Sequence, residues 1–205
     1  TTPDRVMLVR GVAGSGKTTL IRACVDAIEG EGRSVLILAP SAEASRGVLR
    51  NEGFVNADTV ARFLLDERLQ ESVRGGVLWI DEAGLLGLKT LDAVFRLAGS
   101  LQARVVLSGD EQQHHSVERG SPFELLQRLG GLESATAREI RRQTGRYKEA
   151  VALLSEATTL EGFDMLDRDL GWVKELPDGE RSQAMAAEYV RAIRAGETVL
   201  AVSPT

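Results

Sequence analysis

The stretch GVAGSGKT, Gly11 to Thr18, places glycines, a lysine and a hydroxyl at a spacing that suits a triphosphate. It follows a β-branched apolar run and opens a helical pattern, the context in which G-x-x-x-x-G-K-[ST] forms a phosphate-binding loop. Glycine is needed because the loop's backbone N–H groups must curl around the anion in conformations that a side chain would obstruct. The helix that follows turns its positive end toward the phosphates. On this reading Gly11, Ala13, Gly14, Ser15, Gly16, Lys17, Thr18 and Thr19 line the nucleotide. Lys17 reaches the β and γ phosphates, and the Thr18 hydroxyl ligates Mg2+. ATP and Mg2+ are the expected cofactors; a chance glycine-rich turn is the alternative.

A second group, VLWIDEAG from Val77 to Gly84, sets two carboxylates at the end of an apolar strand pattern. Asp81 can hold Mg2+ through its water shell, and Glu82 can orient and deprotonate an attacking water, a role that hydrolysis needs and phosphotransfer to a substrate does not. Without the phosphate loop upstream, a pair of acidic turn residues would be the simpler reading. The third group is VVLSGDEQQ, Val105 to Gln113. Gln113 could sense the γ phosphate by hydrogen bonding, although a solvated strand-end turn explains the same residues equally well.

The elements that must carry these groups are legible as short apolar runs: 5–10, 34–39, 76–80, 104–108 and 198–202. Near-continuous apolarity is expected of strands in a parallel sheet covered on both faces. Helical patterns lie between them. Leu20, Cys24 and Ile28 form one stripe closed by Gly30 and Gly32, and further stripes run through Leu91, Val94, Phe95 and Ala98 and through Phe123, Leu125, Leu126 and Leu129. The alternation predicts an α/β, doubly wound parallel sheet flanked by helices, with its ligand at the carboxyl ends of the strands. The most linker-like stretch, 169–182, precedes a helix predicted over Gln183 to Ala195.

Apolar residues at 43% and charged residues at 27% are ordinary globular proportions, so disorder and repeat solenoids are excluded as classes. A net charge of −5 and 4% aromatic residues supply neither a global basic field nor a broad stacking platform, so any nucleic-acid contact must be local. The single cysteine, Cys24, excludes a disulfide framework and fits a reducing cytoplasm. No leader opens the chain and no apolar run approaches a membrane span, so a soluble cytoplasmic protein without membrane partners is expected. A strand pattern close to Thr1 and another ending near Thr205 suggest a piece of a longer protein.

Taken in order, GVAGSGKT, LAPSAEASRGVL, ADTVARFLL, WIDEAG, SGDEQQHHSVERGSPFELL and EIRRQ resemble the motifs of the first RecA-like domain of superfamily 1 helicases, in particular the RecD-type enzymes and the helicase part of conjugative relaxases. The resemblance runs over about residues 5–145, and SPT at 203–205 resembles a motif just inside the second RecA-like domain of that group. It implies a P-loop domain over 1–145, then connecting helices and the beginning of a second RecA-like domain over 146–205. It implies Lys17, Glu82, Gln113 and Arg142 as the catalytic set, with Arg141 the alternative to Arg142 by register, and Thr18 and Asp81 as the metal residues. Pro40, Ser41 and Thr59 would lie along the backbone of single-stranded DNA, where small hydroxyls and backbone amides bind without reading bases; helix capping is the plainer role for Ser41 and Thr59, and both roles can hold together. The implied activity is ATP-driven, 5′-to-3′ movement on single-stranded DNA by a monomer, completed by the second RecA-like domain in cis. The chain alone is expected to bind ATP weakly and to hydrolyse it slowly.

Two departures stand out. His114 and His115 replace the usual aliphatic after Gln113 and are read as polar strand-end residues, not metal ligands. The glutamine-bearing segment that contacts adenine in this group is missing ahead of the first strand. A P-loop ATPase of switch or clamp-loader type acting on protein partners is the alternative from another class, and an inactive nucleotide-binding module is a third.

Overall fold

The computed structural model describes residues 4–11, 17–109, 120–132, 134–137, 145–155, 158–177 and 179–202. The chain divides into two compact units, Thr1–Lys148 and Glu149–Thr205.

The first unit is built on a six-stranded, wholly parallel sheet of order β3-β2-β4-β5-β1-β6. Its strands are β1 (Val6–Gly11), β2 (Val35–Ala39), β3 (Asp58–Thr59), β4 (Val77–Ile80), β5 (Arg104–Gly109) and β6 (Ser134–Ala137). Both faces are apolar, as the near-continuous runs predicted. Leu8, Leu38, Leu78, Ile80 and Leu107 pack on one face with α2 (Val60–Phe63), α4 (Leu88–Ser100) and α5 (Pro122–Leu129). Val9, Ile37, Trp79 and Val106 pack on the other with α1 (Lys17–Gly30). Strand alternation explains the partition, since successive side chains leave opposite faces. The doubly wound α/β fold expected from the sequence is the one observed.

Three details differ from the sequence reading. In α1 the buried residues are Ile21 and Val25, with Leu20, Cys24 and Ile28 only partly covered; the buried face is centred one residue round the helix from the predicted stripe, because the apolar arc is wider than one i, i+4 row. In α5 only Phe123 is buried among the four predicted stripe residues, Leu126 packs partly against the core, and Leu125 and Leu129 are exposed. The run at 198–202 is coil with Leu200 and Val202 exposed, because a β-branched run becomes a strand only where a neighbour supplies the ladder, and none of the described strands pairs with it.

The second unit takes in most of α6 (Gly145–Ser155), then α7 (Thr159–Asp164), a short π-type segment Met165–Asp169, and α8 (Arg181–Arg194). The described residues between the last two, 170–177 and 179–180, are irregular, as the composition of the stretch predicted. Lys174 reaches across it to Glu188 on α8 at 3.1 Å. Among the described residues no helix is long and apolar enough to cross a membrane.

Candidate active site

Strand order places the chemistry. β5 lies between β1 and β4, with Val9 beside Ser108, Arg10 beside Gly109, and Ile80 beside Leu107. The carboxyl end of β1, which leads to the phosphate-loop sequence, and that of β4, which leads to Asp81, therefore flank Ser108 and Gly109. Gly11 closes β1 and is buried, and Lys17, Thr18 and Thr19 form the opening of α1, the first two half-buried and the third exposed. Ala13, Gly14, Ser15 and Gly16 lie outside the described residues, as do Gln113, His114, His115, Arg141 and Arg142.

Asp81 is held at both its backbone and its side chain. Its N–H donates to Leu38 O at 2.8 Å, extending the ladder between β2 and β4 by one residue. Its Oδ1 accepts from Ser108 Oγ at 2.8 Å, and Ser108 Oγ in turn accepts from Trp79 Nε1 at 2.9 Å. Trp79 and Ser108 are buried. Glu82, the next residue, adopts φ 53° and ψ 37° and leads into a single 3-10 turn, Ala83–Leu85. A left-handed backbone at a residue with a Cβ costs about 1–2 kcal/mol, and such strain gathers at functional positions. Gly109 closes β5 where a Cβ would meet Gly84 N at 3.3 Å and the Phe123 ring at 3.4 Å, so the absence of a side chain lets the Glu82–Leu85 turn approach.

Pro40, Ser41 and Thr59 come together at the neighbouring strand ends. Ala39 and Thr59 are register partners, so Pro40 and Ser41 leave β2 beside Thr59 at the end of β3. Both hydroxyls cap: Thr59 Oγ1 accepts from Arg62 N and Ser41 Oγ accepts from Ala44 N, each at 3.1 Å. The plainer capping role of these residues is thus present, and it uses each oxygen as an acceptor without consuming the hydroxyl proton.

Beside them sits a cluster that the motif reading missed. Asp58 is buried and accepts from Arg46 Nη2 at 3.1 Å, Arg50 Nη2 at 3.2 Å, Arg62 Nη1 at 2.7 Å and Thr59 N at 2.8 Å. Burial pushes its carboxyl pKa up, but the Thr59 N–H and the guanidinium groups of Arg46 and Arg62 outweigh it and hold the carboxyl below its ordinary value. Asp58 thereby ties the π-type helical segment Glu43–Leu49, which follows Ser41, and Arg50 just after it, to the turn that begins α2. The signal was available: Arg46 and Arg50 are four apart, as are Asp58 and Arg62, and an acidic residue stands second in the ADTVARFL segment. Ser108, the one polar position in VVLS, was likewise a visible signal that spacing alone does not interpret.

The donor set fits a magnesium nucleotide. The Thr18 hydroxyl and the Asp81 carboxylate are hard oxygen ligands, and Mg2+ typically takes one or two protein oxygens and completes its shell with water and phosphate.

The model of the AAA domain family matches residues 1–178. The chain is 36% identical over 162 residues to the Multifunctional conjugation protein TraI of Escherichia coli (strain K12), covering 73% of this chain and 9% of that protein. It is 33% identical over 140 residues to the Conjugal transfer protein TraA of Agrobacterium fabrum, covering 65% of this chain and 12% of that protein. The chain thus spans only a small part of these relatives. A solved structure, Replication initiator DnaA bound to AMPPCP and single-stranded DNA, aligns over 95% of this chain and 65% of that one at 18% identity and a TM-score of 0.40, a likeness too distant to carry an argument.

Proposed function

Because the chain belongs to the AAA domain family and is related to the conjugation proteins TraI and TraA, we propose that it is the ATP-hydrolysing half of a motor that moves 5′ to 3′ along single-stranded DNA. The coarser identity, a superfamily 1 P-loop helicase motor domain, is the one its motif order gave. The observation that supports the finer reading is an arrangement along one edge of the sheet. Asp81 and Glu82 follow the carboxyl end of β4, β1 two strands away leads to the phosphate-loop sequence, and Pro40, Ser41 and Thr59 lie at the adjoining ends of β2 and β3. The proposed ATP residues and the proposed strand residues share a rigid scaffold, so a change at one end of β4 is passed to β2 by direct ladder bonds.

In this mechanism Lys17 and the amino end of α1 draw the phosphate charge, which lowers the cost of the charge that builds up as the γ phosphate departs. Thr18 and Asp81 would hold Mg2+, which would neutralise phosphate charge when bound. Glu82 takes the proton of the attacking water, Gln113 reports the γ phosphate, and Arg142 stabilises the transition state. Ser41 and Thr59 donate their hydroxyl protons to phosphate oxygens of the DNA backbone without reading its sequence. The residues 146–205 lead toward the second RecA-like domain, which closes the cleft in cis; the protein works as a monomer in the cytoplasm.

Directional movement is tested by displacement of streptavidin from biotinylated oligonucleotides, using a longer protein that carries this chain together with the second RecA-like domain. ATP-dependent displacement from the 3′ end only is expected. Displacement from the 5′ end only would overturn the polarity, and displacement from neither end would overturn translocation.

A further inference from the structure

Trp79 and Ser108, buried behind Asp81, have no role in the chemistry above, yet their hydrogen bonding is directional. An indole N–H can only donate, whereas a hydroxyl has one proton and two lone pairs. With Trp79 Nε1 donating to Ser108 Oγ at 2.9 Å, the Ser108 proton must go elsewhere. Two acceptors are in reach: Asp81 Oδ1 at 2.8 Å and Ile80 O at 3.3 Å. The shorter, charge-assisted bond to the carboxylate is the stronger. Trp79 therefore fixes the hydroxyl, and the hydroxyl fixes one oxygen of Asp81 and with it the plane of the carboxylate. Neither donor can trade its partner for water, since Trp79 is 2% exposed and Ser108 0%.

The scaffold holds all three residues in register. Residues 79 and 81 alternate onto one face of β4 and Ser108 leaves the same face of the adjacent β5, the face that packs against α1. Val9, near the end of the strand that leads to the phosphate loop, is Ser108's partner on the other side.

We propose that Ser108 is a positioning residue for Asp81, oriented by Trp79, that commits Oδ1 and leaves Oδ2 to face the water shell of the nucleotide-bound Mg2+. This rests on the reading of Asp81 as a magnesium residue. Partners of this kind tune metal affinity by roughly 10–100-fold through ligand orientation.

The test is the affinity of the chain for a fluorescent, non-hydrolysable ATP analogue, measured with excess Mg2+ and again with EDTA. The ratio of the two dissociation constants reports the metal's share of binding. Ser108→Ala should reduce that ratio roughly 10-fold while leaving the EDTA value unchanged. Trp79→Phe, which keeps the ring packing and removes the N–H, should reduce it in the same direction by a smaller factor. Asp81→Asn should abolish the metal's share. If Asp81→Asn leaves the ratio unchanged, the magnesium reading itself fails and the proposal with it. If Asp81→Asn abolishes the ratio and Ser108→Ala preserves it, the positioning role alone is overturned. A Ser108→Ala protein that binds more weakly with EDTA as well would show a merely structural residue and would equally overturn the proposal.

Discussion

Replacing Asp58 with alanine should loosen the two loops that carry Ser41 and Thr59, because one buried carboxylate joins them. The bond that alanine loses most costly is the one from Thr59 N at 2.8 Å, a charge-assisted hydrogen bond to a buried acceptor; such a bond contributes about 1.5 kcal/mol at the low end of its usual range. The three guanidinium groups are 48%, 38% and 50% exposed at Arg46, Arg50 and Arg62, so they return to water when the carboxylate goes, and nothing is added for them. A loss of about 1.5 kcal/mol corresponds to a fall of roughly 3–6 °C in the unfolding midpoint for a chain of this size. Trp79 is the reporter, since it is buried in the first unit and its emission shifts on unfolding; Trp172→Phe removes the second indole. Asparagine at 58 keeps an acceptor for Thr59 N and should lose less. The pH dependence has a definite sign. The folded carboxyl lies below the ordinary value of 3.8, so its contribution is present above that pH and is lost as pH falls through the folded value. The gap between wild type and Asp58→Asn should thus be constant from neutral pH down to about pH 5 and close only below about pH 4. An Asp58→Ala midpoint equal to wild type at neutral pH would refute the claim that this carboxylate joins the loops.

Thr59→Asp should keep the helix cap, because aspartate caps as well as threonine, while placing a negative charge in the proposed path of the DNA phosphates. Anisotropy of a labelled oligothymidylate at low salt should show affinity lowered roughly 10-fold with the melting midpoint unchanged; unaltered affinity removes Thr59 from the DNA path. Glu82→Gly should relieve the left-handed backbone and raise the midpoint by a few degrees, about 1 kcal/mol, while abolishing turnover. Glu82→Gln retains the strain and should abolish turnover with no gain in stability; a less stable glycine variant would contradict the strain argument.

What the sequence made legible was whatever depends on local pattern. The β-branched runs became four of the six described strands, and the phosphate-loop and WIDEAG spacing put Gly11, Asp81 and Glu82 at strand ends and Lys17 and Thr18 at the opening of α1. What it concealed depends on strand order. Nothing in the order of the runs says that β5 separates β1 from β4, and only that fact brings Ser108 to Asp81. The two-residue β3 and the polar β6, Ser134–Ala137, carry no apolar run and are defined by their neighbours, β2 and β1. The run at 198–202 failed for the converse reason, having the composition of a strand without a partner. Asp58 carries no signal of its own beside Thr59 until Arg46 and Arg50 are carried to it by the pairing of β2 with β3.

The central claim is that this fold couples ATP hydrolysis to single-stranded DNA. It is tested most directly by steady-state ATPase activity with and without oligothymidylate, on this chain and on a longer protein that adds the proposed second RecA-like domain, each beside its Glu82→Gln variant. The account predicts slow turnover by the chain alone, strong DNA stimulation in the longer protein, and loss of both in the variants. Turnover that ignores DNA in both proteins would contradict it and would favour an ATPase that acts on protein partners.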